Sequence, residues 1–174
     1  YLTDDGHRYN HHHRHLVSSA GYVVLYARFA IHTGAPEALK WVRHGLKFIE
    51  EAHYQTRTQG YAWTLDHGKA EDATQHCHGL ASVMLAYATA LQAGVAEARD
   101  GLDRVHALQV RRFYEPQWQL YAAEADEQWH LRSYRGQSPN LRSCEAFIAA
   151  FDATGEPAFL DQALTLARAL WHKL

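Results

Sequence analysis

The sequence lacks the features of a membrane-spanning, disordered or disulfide-rich protein. Its 174 residues include two cysteines, too few for a disulfide scaffold, so we expect Cys77 and Cys144 to be free thiols in a reducing cytoplasm. No apolar run approaches the ~20 residues of a membrane helix, and a hydrophobic fraction of 47% excludes disorder. With a net charge of -2, we expect no binding to nucleic acid or to an anionic membrane surface.

The N-terminus carries no secretory signal, and the first residue is Tyr1 rather than methionine. We therefore expect that an upstream segment was removed or lies outside this sequence. The length fits one domain of ordinary size with a substantial core, and we predict a single domain over residues 1–174.

Histidine and aromatic residues are the abundant types. The chain has 14 histidines together with 5 tryptophans, 10 tyrosines and 6 phenylalanines. Aromatic rings can stack on the apolar faces of sugars, while imidazole nitrogens can bond sugar hydroxyls. The composition is therefore compatible with carbohydrate binding, although it does not specify it.

A glycine-centred motif occurs three times along the chain. The copies around Gly34 and Gly155 are the most similar in sequence, and the copy around Gly94 is degenerate. Successive glycines are 60 and 61 residues apart. Glycine can adopt the left-handed conformation that ends a helix, and Pro36 or Pro157 can begin the next one. The pattern predicts a repeated helical hairpin of about sixty residues.

Helical periodicity flanks each copy of the motif. Apolar residues at three- and four-residue steps, such as Leu39, Val42 and Leu46, mark one buried face of a helix. We predict six helices in three hairpins, over Leu16–Ile31, the segment after Pro36, His76–Ala93, Ala96–Phe113, Leu141–Thr154 and Glu156–Leu174.

The connections inside the hairpins are short, whereas those between hairpins exceed twenty residues and repeat aromatic residues sixty positions apart. Long loops on one side of a compact domain usually mark a functional rim. This organisation predicts an all-α fold, three hairpins of an α/α toroid. Because most such rings need six hairpins, we expect the inner helix faces to be open to water or covered by a partner.

Several motifs in these connections resemble those of the N-acylglucosamine 2-epimerase superfamily, most closely its bacterial mannose isomerase-like members. The resemblance covers essentially the whole chain. It rests on the segments Asp4–Gly6, His13–Ser19, Gly60–Leu65, His76–Ala81 and Tyr134–Ala146.

The resemblance implies an (α/α)6 barrel of about twice this length and metal-free sugar chemistry without a cofactor. Family enzymes open the sugar ring and remove the C2 proton with a histidine. An enediol-like intermediate then gives aldose–ketose isomerisation or C2 epimerisation. Such a reaction needs a base with a pKa near neutrality and a cation or donor for the developing oxyanion.

Four positions depart from the family pattern. The family has arginine at the position of Gly21, tyrosine at that of His78, asparagine at that of Ser138 and histidine at that of Arg142. No catalytic residue can therefore be assigned from the pattern. We expect substrate contacts from His76, His78, Arg135, Gln137, Arg142, Glu145 and Trp63. Small polar residues, Ser82 and Ser143, are expected on the same inward surface.

Some of these residues have a second interpretation. The run from His11 to His15 could bind a metal because its ends are one helical turn apart, but a polar start of a helix is favoured. His76 and His78 could line a pocket, pack in the core or, least favoured, bind a metal. Arg142 could clamp sugar oxygens or simply be solvated. Glu145, three residues later on the same helix face, could pair with it.

The aromatic residues also allow two interpretations. Trp63, Trp118 and Trp129 could stack on sugar, but packing within the loops is favoured; Tyr87 and Phe147 are most simply core residues.

The expected function is therefore that of a sugar isomerase or 2-epimerase domain acting on a small-molecule sugar such as mannose, with weak or no activity for this chain alone. One alternative is a non-catalytic carbohydrate-binding or scaffold module. Another is a homodimer in which two chains close a six-hairpin ring.

Overall fold

The computed structural model describes residues 3–7 and 10–173. Within them it contains six α-helices in three antiparallel hairpins, which confirms the predicted fold class. The helices are α1 (Leu16–Thr33), α2 (Pro36–Phe48), α3 (Cys77–Gln92), α4 (Ala98–Phe113), α5 (Gln137–Thr154) and α6 (Pro157–Lys173). A π-helical turn, Ile49–His53, continues α2.

The glycine–proline motif forms the hairpin turns as predicted. Gly34 and Gly155 have φ of 68° and 72°, and their N–H groups donate to carbonyls in the last turns of α1 and α5. Gly94 follows α3 with φ of 92°. Pro36 and Pro157 are the first residues of α2 and α6, where proline loses no helical hydrogen bond.

The long connections contain short antiparallel strands, which the sequence analysis did not predict. The strands are β1 (Arg14–His15), β2 (Tyr54–Gln55), β3 (Gly60–Tyr61), β4 (Thr64–Asp66), β5 (Lys69–Asp72), β6 (Gln75–His76), β7 (Tyr114–Glu115), β8 (Leu120–Tyr121) and β9 (Glu124–Ala125). They pair as β1–β4–β5, β2–β3, β6–β9 and β7–β8. The β2–β3 and β7–β8 ribbons repeat the same register sixty residues apart.

The helices form two layers, because α1, α3 and α5 pack side by side while each also packs on its hairpin partner. The central helix α3 has 13 of its 16 residues buried. Tyr87 and Phe147 are buried in this core, as predicted. Large apolar side chains are exposed on the flanking helices, including Leu25 and Phe29 of α1 and Ile148 of α5. The expected open surface therefore lies on α1 and α5 rather than on α3.

The favoured interpretation of His11–His15 as a polar entry to a helix is confirmed, because this segment leads through β1 into α1 and His15, the N-cap residue, accepts a hydrogen bond from the Val17 N–H. Two other local expectations were wrong. Helix α5 begins at Gln137 instead of Leu141, because Pro139 is tolerated in a first turn. Ser143 does not face a solvated inner surface: it is fully buried and accepts a hydrogen bond of 2.7 Å from Gln109 Nε2 on α4.

Cys77 and Cys144 are free thiols, Cys77 buried and Cys144 half-buried. Burial raises the pKa of the Cys77 thiol to about 11. Across the described residues, none of the helices combines the length and apolar character needed to span a membrane.

Candidate functional site

An aromatic and imidazole cluster lies where the long connections meet the first residues of α1 and α3. The Trp63 ring stacks on His76, with ring centroids 3.9 Å apart and planes 28° apart. The His15 ring meets Trp63 edge-on at 4.3 Å. Strand pairing explains this arrangement, because His15 in β1 pairs with Thr64 in β4 and thereby brings residue 63 beside α1. Each of the two histidines directly precedes its helix.

Burial lowers the pKa of the two histidines of this cluster, His15 and His76, below the ordinary histidine value, because the protonated form loses solvation. The pKa of His78 is lowered for the same reason. Glu124, whose Oε1 lies 3.7 Å from His76 Nδ1, opposes the shift at His76 without reversing it. A neutral imidazole has one nitrogen with a lone pair. At His15 that nitrogen is Nδ1, which already accepts the Val17 N–H at 3.2 Å.

A second group of polar residues joins α3 and α5. His78 Nδ1 lies 3.2 Å from Ser138 Oγ. Arg142 Nη1 donates to Glu145 Oε2 at 2.7 Å, as their spacing allows, and Arg28 of α1 lies 3.8 Å from the other oxygen of Glu145. Arg142 also lowers the pKa of His78, after the larger effect of burial. Glu145 therefore links arginines from the two flanking helices.

These arginines border a small groove of about 130 Å³ between the inner helices. Gly21 of α1 lines the groove with backbone only, and a Cβ at this position would meet open space. Ser82 and Leu85 of α3 also line it. Guanidinium and carboxylate groups at the border can bond vicinal hydroxyls in pairs. The groove is lined by Val17, Gly21, Val24, Arg28, Ser82, Leu85, Arg142 and Glu145.

Six of the seven predicted substrate contacts fall into three groups, and the seventh is Gln137. Trp63 and His76 belong to the aromatic cluster, and His78 lies with Arg142 and Glu145 near the groove. Gln137 is the exposed first residue of α5, next to Ser138.

Arg135 forms the third group, away from the groove. Its guanidinium makes a two-pronged pair with the Glu115 carboxylate at 2.5 and 2.6 Å and lies 5.6 Å from the centre of the Trp118 ring. These contacts tie the start of α5 to the β7 strand. Arg135 therefore holds the loop structure in this conformation.

The loop tryptophans differ in exposure. Trp129 is half-buried, donates to the Thr58 carbonyl at 2.8 Å and packs on Phe113, so the favoured packing interpretation is confirmed for this residue. Trp63 also packs against the core, while Trp118 is exposed.

Sequence reasoning did not select His53, which the structure places behind the cluster. It is fully buried, with Nδ1 3.0 Å from the Ala62 carbonyl and Nε2 3.0 Å from Ser19 Oγ. The carbonyl requires Nδ1 to carry the proton, so Nε2 accepts from Ser19. The sixty-residue repeat did offer a signal: the position equivalent to His53 in the next unit is Phe113, which is apolar and buried, so the repeat indicates a buried position for His53.

His15 and Arg28 were also outside the expected contact set, although both border the site. Among residues 3–7 and 10–173, no three His, Cys, Asp or Glu side chains are grouped as a metal site would require.

Comparisons with known proteins agree with this architecture. D-mannose isomerase of Marinomonas mediterranea is 40% identical over 174 residues, which are 99% of this chain and 44% of that protein. D-mannose isomerase of Thermobifida fusca is 34% identical over 143 residues, 81% of this chain and 35% of that protein. The chain thus spans less than half the length of these relatives.

Solved structures show the same fold. A crystal structure of D-mannose isomerase matches with a TM-score of 0.94 at 39% identity, over 99% of this chain and 45% of that one. Cellobiose 2-epimerase from Spirochaeta thermophila matches with a TM-score of 0.83 over 92% of this chain and 44% of that one; at 19% identity it supports the fold alone. The N-acylglucosamine 2-epimerase (GlcNAc 2-epimerase) family pattern matches residues 1–174, and the chain therefore belongs to that family.

Proposed function

We propose that this chain forms one wall of the sugar site of an aldose–ketose isomerase or 2-epimerase acting on mannose-type sugars. The observation that carries the proposal is the 40% identity to a D-mannose isomerase over 174 residues. The groove beside Arg142 and the cluster around Trp63 supply groups suited to sugar hydroxyls and to the apolar face of a sugar ring.

The chemistry asks for a base at the sugar C2 proton and a positive group near the oxygen that gains charge. His78 is kept neutral by burial, and its contact with Ser138 occupies one ring nitrogen. In the tautomer in which Nδ1 donates to the Ser138 hydroxyl, Nε2 carries the lone pair and is available for a substrate proton. Arg142, which acts on the pKa of His78, would stabilise the enediolate oxygen.

We expect weak or no turnover from the isolated chain. It spans less than half of the relatives' length, and Gly21, His78, Ser138 and Arg142 replace the residues that the family pattern has at those positions. Even with His78 as the base, Arg142 stands where the family pattern has a histidine, and loss of one acid–base group typically lowers a rate by ~10²–10⁴.

Two NMR measurements test this proposal. A titration of ¹⁵N-labelled protein with D-mannose is expected to shift the amide signals of His78 and Arg142 and of residues beside Trp63. Arg142→Ala should weaken this binding at least fivefold, whereas Arg168→Ala, at an exposed position of α6, should not change it. If mannose leaves the groove signals unchanged, or both variants bind alike, the proposed sugar site is wrong.

Incubation of mannose, fructose, glucose and cellobiose with the protein in D₂O then measures the chemistry. Slow loss of the C2–H signal of an aldose, or of a C1–H signal of fructose, that stops in His78→Gln would support the assigned base. Exchange at the same rate in His78→Gln would contradict it.

A second candidate function is a carbohydrate-binding or scaffold module that assembles as a homodimer. It is favoured by the exposed apolar side chains of the two flanking inner helices, including Tyr22, Leu25 and Phe29 of α1 and Leu141 of α5. Two copies would cover both surfaces and complete a six-hairpin ring. Light scattering should then give twice the 19.8 kDa of one chain, and a monomeric mass at high concentration would refute it.

A further inference from the structure

Two successive hairpin units place a tyrosine at the same structural position. Tyr61 pairs with Tyr54 in the β2–β3 ribbon, and Tyr121 pairs with Tyr114 in the β7–β8 ribbon. The rings of each pair lie 5.4 and 5.2 Å apart. Both Tyr61 and Tyr121 are almost completely buried. Each ring is enclosed by the protein, so its hydroxyl can bond only to a protein group or to water or a ligand in an adjoining cavity.

In the first unit this need is met by Glu50, four residues before Tyr54. Its Oε1 accepts hydrogen bonds from the hydroxyls of Tyr61 and Tyr87, both at 2.7 Å. Arg104 of α4 balances the charge, with Nη2 2.7 Å from Glu50 Oε2. The space between the ribbon and the outer helices is thus filled by a carboxylate, two hydroxyls and a guanidinium.

In the second unit the corresponding groups are missing. Val110, four residues before Tyr114, stands at the position of Glu50. Arg104 lies ten residues after Gly94, the glycine that ends the preceding helix. The equivalent position in the next unit, ten residues after Gly155, is Thr165. No group in residues 3–7 and 10–173 takes a hydrogen bond from the Tyr121 hydroxyl.

A cavity of about 210 Å³ lies where these groups would be, between α4 and α6 on the outer layer. Tyr121, Val110 and Thr165 line it together with Asp161 and Gln162. His106 Nε2 lies 2.8 Å from Gln162 Oε1, which leaves the amide N–H₂ of Gln162 free to donate. The cavity therefore has an apolar wall, a buried phenol and a polar border.

We propose that this cavity is a second binding site, remote from the groove, for a small neutral hydroxyl-bearing molecule of up to monosaccharide size. The Tyr121 hydroxyl donates to an oxygen of the ligand, and Asp161 and Gln162 bond its other hydroxyls. A carboxylate ligand is disfavoured, because Thr165 replaces the arginine that neutralises Glu50 in the first unit and Asp161 adds a negative charge. The site is independent of the proposed isomerase function.

The test is a titration of ¹⁵N-labelled protein with methyl α-D-mannopyranoside, a neutral pyranoside that cannot open its ring. Saturable shifts are expected at Thr165, Leu166 and Tyr121. Tyr121→Phe should weaken binding at least fivefold, while the matched Tyr61→Phe, which removes the satisfied hydroxyl of the first unit, should leave binding at the cavity unchanged. Shifts at His78 or Arg142 would report the groove and are counted separately.

A double variant, Val110→Glu with Thr165→Arg, rebuilds the network of the first unit and should abolish the cavity shifts while preserving the fold, as judged by circular dichroism. The proposal is overturned if no saturable shifts occur at the cavity, or if Tyr121→Phe binds as tightly as the parent protein. Tighter binding of acetate than of the pyranoside would also overturn the assignment of a neutral ligand.

Discussion

Replacing Glu50 with alanine removes the acceptor that the Tyr61 and Tyr87 hydroxyls share. A hydrogen bond to a charged group contributes about 1.5–3 kcal/mol, and a buried hydroxyl left without a partner costs a similar amount. The ion pair with Arg104, which is half-exposed, adds less than about 1 kcal/mol. Because Glu50 is 27% exposed, water can reach part of the vacated space. We therefore expect a loss of about 3 kcal/mol in the free energy of unfolding.

Urea denaturation followed by circular dichroism measures this loss as a lower midpoint at constant slope. Glu51→Ala is the matched control, since the neighbouring carboxylate is exposed and lies 3.7 Å from Lys47 on the surface; we expect a change within about 0.5 kcal/mol. If Glu50→Ala costs less than about 1 kcal/mol, or no more than Glu51→Ala, the shared acceptor does not stabilise the junction between the first two hairpins.

Two further predictions concern acid and backbone conformation. Burial lowers the pKa of His53 and of the three site histidines, so the folded chain binds protons less tightly than the unfolded one. Stability should be complete above pH ~6.5 and fall as the pH decreases below it; a urea midpoint equal at pH 7.5 and pH 5 would contradict this. Gly21→Ala, in the middle of α1 with free space at its Cβ, should raise stability by about 0.5–1 kcal/mol, whereas Gly34→Ala, at φ of 68°, should lower it by about 1 kcal/mol. Thermal unfolding of the pair should show shifts of opposite sign, and shifts of the same sign would refute the backbone argument.

The helical hairpins could be predicted because their signals are local. The left-handed glycines, the prolines at the first helical position and the apolar periodicity each act within a few residues. The strands could not, because each spans two to four residues and exists only through pairing with another part of a long connection.

The site shows the same division between local and distant contacts. The Arg142–Glu145 pair follows from a three-residue spacing on one helix. The edge-on contact of His15 with Trp63 depends on pairing between strands about fifty residues apart in sequence. Nothing near Arg135 indicated that Glu115 would bind its guanidinium. Ser143 was misplaced for a similar reason, since Gln109 lies on another helix.

The burial of α3 determines which parts of the chain can unfold locally. Its backbone is flanked by α1 on one side and α5 on the other and covered by α4, so neither terminal hairpin needs to move for the other to detach. Exposure of α3 requires that its neighbours separate from it together. Amide protons of α3 should therefore exchange with solvent only through global unfolding, while those of α2 and α6 exchange through smaller openings. His15 and His76, which directly precede α1 and α3, lie at the border between the slowly exchanging core helix layer and the long connections.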